Sequence, residues 1–128
     1  MKISFLHVLW VGVGGSLGAV SRYMLSNWVQ SFLKTSLFPI GIFVTNAVGC
    51  LILGLLMGWF EAKNWGYPHL RNFLFVGFLG GFTTFSTFAY DSFLLGKSEM
   101  SLAVFNIAGQ VILGLLCVWG GYVFTKQF

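Results

Sequence analysis

Apolar residues dominate four long stretches of this chain, and polar residues gather in the short gaps between them. The stretches run from Ile3 to about Val29, from Ile40 to Phe60 after Pro39, from Phe73 to about Leu95, and from Leu102 to Phe124. Each is near or above the ~20 residues with which an α-helix crosses the hydrocarbon core of a bilayer. The pattern predicts an all-α integral membrane protein with four transmembrane helices, one domain over residues 1–128 and no soluble module. Lys2 followed by apolar and then small residues also has the outline of a signal segment. Three more spans follow it, however, and Gly12, Gly14, Gly15, Ser16 and Gly18 form a packing face, so the first stretch reads as the first span.

The third stretch carries an interruption, Gly80-Gly81-Phe82-Thr83-Thr84-Phe85-Ser86-Thr87-Phe88. A break in a helix at membrane depth is tolerated only where protein or a watery cavity satisfies the freed backbone groups. A break near Gly80–Thr84 therefore marks where an ion or solute path is to be sought.

Composition agrees with the pattern. The chain is 57% hydrophobic and 8% charged, with a mean hydropathy of +0.86, whereas soluble domains carry roughly 25% charged residues. Cys50 and Cys117 both fall inside apolar spans and read as small hydrophobes. The net charge is +4, but its distribution says more. Four crossings put Lys2, Lys63, Arg71 and Lys126 on one side and Arg22, Lys34 and Lys97 on or toward the other. Orientation follows the Lys and Arg excess of short loops, and four against three is almost no excess. Two readings remain open: one fixed topology imposed by other means, or insertion both ways to form an antiparallel homodimer. The basic residues are too dispersed for a nucleic-acid partner.

Gly14-x-x-x-Gly18 and Gly54-x-x-x-Gly58 fit the small-xxx-small pattern of close helix packing, within a subunit or between subunits. Four helices make a small bundle for enclosing a hydrated path, which favours oligomerisation. Polar groups inside the spans are few. Asn46 stands beside Thr45 in the second span, and Asn106 and Gln110 stand at i and i+4 on one face of the fourth. Such amides tie helices together or line a pathway. In the third span Phe85 and Phe88 share a face, while Thr84, Thr87 and Asp91 fall near another line. An aromatic ring has a positive edge, so rings presented edge-on can favour a small anion without a fixed positive charge. Asp91 is the acidic residue placed within a span, where a carboxylate is a functional candidate unless it sits at the interface. Arg22 ends the first span, positioned to snorkel or to contact a partner helix. His7 and His69 have no metal-ligand spacing with other ligand types, and no nucleophile, phosphate loop or Cys cluster supports enzyme chemistry.

Three segments together resemble a known family, the small four-helix fluoride channels called Fluc or CrcB. They are Gly14-Gly15-x-x-Gly18-Ala19-x-x-Arg22-Tyr23, Thr45-Asn46-x-x-Gly49, and Gly77-Phe78-x-Gly80-Gly81-Phe82-Thr83-Thr84-Phe85-Ser86-Thr87-Phe88. The resemblance implies a passive channel in the plasma membrane that exports fluoride and relieves its toxicity, driven by the negative cell interior. It implies an antiparallel, dual-topology homodimer with two pores lined by both subunits. It places Phe85 and Phe88 as fluoride-coordinating aromatics, Asn46 as the pore amide, and Ser86 and Thr87 on a hydroxyl track. It also implies a structural sodium ion at the dimer centre, held by the backbone carbonyls of Gly80 and Thr83, with Arg22 and Gly81 in structural roles. Three positions depart from the pattern. Asn106 and Gln110 replace a Tyr and a Ser of the fourth helix, and Asp91 replaces a Glu, which bears on the outer pathway. Other classes compatible with the residues are a dual-topology proton-coupled drug exporter, for which Asp91 is the available deep carboxylate, and a structural membrane subunit.

Overall fold

A computed structural model describes residues 4–33 and 37–127. Lys2, Lys34 and Phe128 lie outside the described residues. The elements are α1 (Phe5–Ser31), α2 (Ile40–Ala62), a third span assembled from α3 (Pro68–Arg71), a π-helical segment (Asn72–Leu79), α4 (Gly80–Phe82) and α5 (Phe85–Ser98), and α6 (Met100–Lys126). The described residues contain four helical stretches long and apolar enough to cross a membrane: Phe5–Ser31, Ile40–Ala62, Pro68–Ser98 and Met100–Lys126. At most ends the helices run two or three residues past the apolar stretches, through polar residues such as Gln30, Glu61, Lys97 and Lys126.

Local chemistry sets the turns. At the end of α2, Asn64 takes a left-handed φ of 50°. There the Trp65 N–H donates to the Phe60 carbonyl at 3.0 Å and the Asn64 N–H to the Glu61 carbonyl at 3.2 Å, which satisfies carbonyls that the helix end would orphan. Trp65 then folds back on Trp59 and Phe60. Pro68 opens the next helix, where its missing N–H costs nothing. On this side Lys126 pairs with Glu61 at 3.2 Å, and Tyr122 donates to the same carboxylate.

Two helix pairs carry the packing, α2 with α6 and α1 with the first half of the third span, and α5 closes against α6. Glycines bring these backbones together. A Cβ on Gly14 would run into the Phe73 carbonyl, and one on Gly18 into the Phe78 carbonyl. A Cβ on Gly81 would sit 2.5 Å from the Gly15 carbonyl oxygen and 3.2 Å from the Ala19 nitrogen. Gly54 meets Val118, and Gly58 meets Tyr122 and Thr125. Both small-xxx-small pairs therefore pack within one subunit, α1 on the third span and α2 on α6. Few large residues are buried within the chain. Phe60, Leu79, Phe82 and Leu95 are, while Val104, Ile112, Leu115 and Trp119 of α6 are all more than half exposed. A helix that is apolar all round suits lipid or a protein partner rather than water.

Gly18→Val is expected to abolish a folded subunit, since the new side chain would be forced into a backbone carbonyl; even modest overpacking costs about 1–3 kcal/mol. Gly12→Ala, where an added Cβ meets nothing within 4 Å, is expected to leave the thermal midpoint in detergent unchanged. Equal yield and melting of the two variants would contradict this packing.

Candidate functional site

Helical geometry stops at two threonines. Thr83 has φ −87° and ψ 158°, and Thr84 has φ −148° and ψ 119°, both extended, between the end of α4 and the start of α5. Gly80 remains helical at φ −62° and ψ −34°, and Gly81 is inside α4. Of the expected break near Gly80–Thr84, only the threonines leave helical geometry; the two glycines stay helical. Gly81 lets α1 approach, and its carbonyl accepts a hydrogen bond from Arg22 Nε at 3.1 Å. Arg22 is tied to that neighbouring helix rather than extended toward headgroups.

The N–H groups freed at Thr84 and Thr87 both have new partners. Thr83 Oγ1 donates back to the Leu79 carbonyl at 2.9 Å. Thr84 caps α5, its Oγ1 accepting the Thr87 N–H at 3.2 Å, the usual role of a hydroxyl at a helix start. The Thr84 N–H would go to the Gly80 carbonyl in an unbroken helix; instead it donates to Asn46 Oδ1 at 2.9 Å.

From Asn46 a polar chain crosses three spans. Asn46 Nδ2 donates to the Thr84 carbonyl at 3.2 Å and to Gln110 Oε1 at 2.7 Å. Gln110 Nε2 donates to Asn106 Oδ1 at 3.0 Å, and Asn106 Nδ2 to Ser92 Oγ at 2.9 Å. Ser92 Oγ donates to the Phe88 carbonyl at 2.7 Å. Asn106 is fully buried and Ser92 nearly so. Ser92 escaped the sequence reading, which stopped at Asp91. Its only signal was a hydroxyl four residues beyond Phe88, and serines of that kind in a span most often bond back to their own helix.

A cavity of about 400 Å³ opens beside this chain, lined by Asn46, Thr84 and Gln110 on its polar side and by Phe85 and Phe88 among its apolar walls. The two rings lie 5.6 Å apart at 53° to each other, and Phe85 is 79% exposed. No ionised side chain is among the lining residues.

Other predicted site residues fall elsewhere. Ser86 and Thr87 form a hydroxyl cluster with Thr84, whose Oγ1 lies 3.2 Å from Ser86 Oγ and donates to Thr87 Oγ1 at 3.1 Å, but neither lines the cavity. Asn106 stands behind Gln110 rather than on the cavity wall. Asp91 faces a separate space of about 180 Å³ with Pro39, Leu94 and Ser98, and its Oδ2 is buried with no hydrogen-bond partner among the described residues. Thr45 is fully buried and donates to the Gly41 carbonyl, a helix-internal bond. His7 and His69 come together with ring centroids 5.0 Å apart, yet among the described residues no group of three His, Cys, Asp or Glu side chains is placed to hold a metal.

The four-span fold and this amide-lined interruption define a class of small multi-pass membrane protein, and comparison with known proteins identifies which one. Residues 9–122 match the family described as CrcB-like protein, Camphor Resistance (CrcB). The chain is similar to the fluoride-specific ion channel FluC of Maridesulfovibrio salexigens, 43% identical over 114 residues covering 88% of this chain and 90% of that protein. It is likewise similar to the FluC proteins of Flavobacterium psychrophilum, 37% identical over 121 residues covering 94% and 97%, and of Hydrogenovibrio crunogenus, 40% identical over 124 residues covering 96% and 93%. The chain belongs to the CrcB family, and it is a multi-pass protein of the cell membrane.

Thr84→Val keeps the shape of the side chain and removes the capping oxygen, so it is expected to destabilise the protein by about 1 kcal/mol, whereas Thr84→Ser retains the cap and should melt near the parent. Thermal unfolding in detergent reads the difference; identical midpoints for the Val and Ser variants would remove the cap from the account of this turn.

Proposed function

We propose that the protein is a passive, fluoride-selective channel that exports fluoride across the cell membrane, and not an enzyme. The observation that carries this is the cavity at Thr84, where amides and phenylalanine rings meet without an ionised side chain, in a chain whose relatives are named as fluoride-specific channels. A filter works by replacing an ion's hydration with fixed donors in a narrow path. Asn46 carries amide hydrogens at the cavity, held by the Gln110 and Thr84 carbonyl oxygens until an anion takes one, the Thr84, Ser86 and Thr87 hydroxyls cluster beside it, and Phe85 and Phe88 can turn positive ring edges toward an anion. Hydrogen fluoride crosses membranes as the neutral acid and ionises inside, so the interior-negative potential alone moves the trapped anion outward, with no coupling ion.

The working unit in this proposal is an antiparallel homodimer. Supporting it are the near balance of basic residues about the four crossings and a cavity wall, Phe85, left exposed on the single subunit. A second copy would cover that wall and complete a path. The proposed sodium ion at the dimer centre fits the chemistry of the residues present. With Thr84 N–H bonded to Asn46 and Thr87 N–H bonded to the Thr84 hydroxyl, the Gly80 and Thr83 carbonyls lose the donors that an unbroken helix would supply. Such oxygens suit a hard cation, which would pin the two interrupted helices together.

A proton-coupled exporter needs a carboxylate where substrate binds. Asp91 faces its own small space instead, and this favours the channel. Flux from potassium fluoride-loaded liposomes separates the readings: electrogenic fluoride efflux without proton exchange supports the channel, and proton-linked cation exchange without fluoride efflux overturns it.

Asn46→Asp keeps an acceptor for the Thr84 N–H but removes both donors and adds a negative charge. A folded protein with fluoride efflux reduced at least a hundredfold is expected, read with size-exclusion behaviour on the same sample. Phe85→Ile or Phe88→Ile keeps apolar bulk and loses the ring edge, so efflux should collapse while the yield of folded protein holds. Wild-type efflux in a folded Asn46→Asp protein would take this residue out of the path.

Topology is tested separately. A C-terminal tag is expected to be reached from both membrane faces in a cell population, and two or three added lysines in one loop are expected to bias it to one face. Labelling of the unmodified protein from a single face only would refute dual insertion.

A further inference from the structure

The polar chain across the three spans begins and ends on main-chain groups of opposite kind. At one end the Thr84 N–H can only donate, so Asn46 must present Oδ1 to it and its Nδ2 elsewhere. At the other end the Phe88 carbonyl can only accept, so the Ser92 hydroxyl spends its proton there and offers Asn106 a lone pair. Between these ends each amide has one orientation in which no donor faces a donor. Asn106 turns Nδ2 to Ser92 and Oδ1 to Gln110, and Gln110 turns Nε2 to Asn106 and Oε1 to Asn46. Thr84 and Phe88 stand one turn apart on the same helix, so the chain closes on itself through α2 and α6.

One consequence concerns Asn46. Both of its amide hydrogens are taken, by Gln110 Oε1 and by the Thr84 carbonyl, although the residue lines the cavity. An anion that takes a hydrogen from Asn46 must therefore displace a carbonyl oxygen, and the shorter contact is the one to Gln110, which shares the cavity wall. We infer that Gln110 is a positioning residue whose carbonyl holds the Asn46 donor in place for the permeating anion, and that Ser92, acting through Asn106, secures from the far end the Gln110 orientation that the Thr84 N–H imposes through Asn46. The inference rests on the channel reading for its role in transport, but the orientation it assigns to the amides stands apart from transport. Without the Ser92 oxygen, Asn106 loses the acceptor that orients it. A turned Asn106 would confront Gln110 Nε2 with a second NH₂, and a turned Gln110 would do the same to Asn46. Networks of this kind couple their members more strongly than pairwise bonds do.

The test compares Ser92→Ala, Ser92→Thr, Gln110→Met and the double variant Ser92→Ala with Gln110→Met. Two measurements are made: the side-chain amide signals of Asn46 in ¹⁵N-labelled protein in detergent, assigned by their loss in Asn46→Asp, and fluoride efflux from potassium fluoride-loaded liposomes. Ser92→Ala is expected to shift the Asn46 signals and to lower efflux about fivefold, the equivalent of one typical hydrogen bond. Ser92→Thr, which keeps the hydroxyl, is expected to restore both. Once Gln110→Met has removed the link, adding Ser92→Ala should change neither measurement further, as coupled rather than independent sites require. Asn106→Leu cuts the chain one step later and is expected to shift the Asn46 signals in the same way, which keeps the question decidable if Ser92→Ala folds poorly. Unmoved Asn46 signals in Ser92→Ala, or the same fold-loss with and without Gln110→Met, would overturn the inference. A wild-type protein that moved no fluoride would refute the channel reading instead, and the amide signals would still decide the orientation.

Discussion

A backbone N–H without a partner cannot persist at membrane depth, where an unsatisfied polar group costs several kcal/mol. The bond from the Thr84 N–H to Asn46 Oδ1 meets that constraint at the point where the third span stops being helical. The rest of the site follows from it. Because Asn46 must present its oxygen to the Thr84 N–H, its amide hydrogens go to the Thr84 carbonyl and to Gln110 on the fourth span. Gln110 must then present an oxygen to Asn46, and Asn106 an oxygen to Gln110. A single main-chain donor thereby sets the direction of side chains on two other helices.

Such a bond requires the helices to be held at a fixed spacing, and glycine supplies this. Gly81 lies against Gly15 and Ala19, with Gly18 against Phe78, so α1 and the third span meet backbone to backbone; Gly54 and Gly58 do the same for α2 and α6. Dispersion between close backbones is what drives association where lipid is as apolar as the side chains. Arg22 adds a directional contact by donating to the Gly81 carbonyl just before the interruption. The second and third spans contact each other comparatively little, which is where the cavity opens and where Asn46 reaches across.

Much of this was legible in the sequence because lipid makes the rules severe. Four apolar stretches of spanning length, a polar and glycine-rich interruption in the third, and three amides inside spans leave few readings. The four-span, all-α fold came from those patterns, and they singled out Asn46, Asn106 and Gln110 as helix-tying or pathway groups; that Asn46 bonds Gln110 did not come from them. What was not legible depends on which of two adjacent devices the chain uses. Gly80-Gly81 looks like the place to unwind, since glycine is the permissive residue, yet Thr83 and Thr84 unwind and the glycines stay helical to let α1 approach. The difference lies in a tertiary contact: Asn46 competes successfully for the Thr84 N–H, and nothing near residue 80 in sequence announces it. Ser92 was missed for a similar reason. A lone serine in a span carries no periodic signal, and its importance comes from Asn106, fourteen residues away. Asp91 stood out by charge, but it lies one position along the helix from Ser92 and so faces a different space.

On the channel reading, neutral donors also resolve a conflict between holding an anion and letting it leave. A lysine or arginine at Thr84 depth would attract fluoride strongly in a medium of low effective dielectric, and conduction needs sites weak enough to release the ion. An amide left unpaired between ions would be costly in its own way, since burying a polar group without a partner costs about 1–3 kcal/mol judged from protein mutations. Gln110 removes that cost by accepting from Asn46 when no ion is present. The passing anion then exchanges one acceptor for another at nearly constant hydrogen-bond count, so the barrier it meets at Asn46 is set by geometry and by the ease with which the Gln110 carbonyl yields.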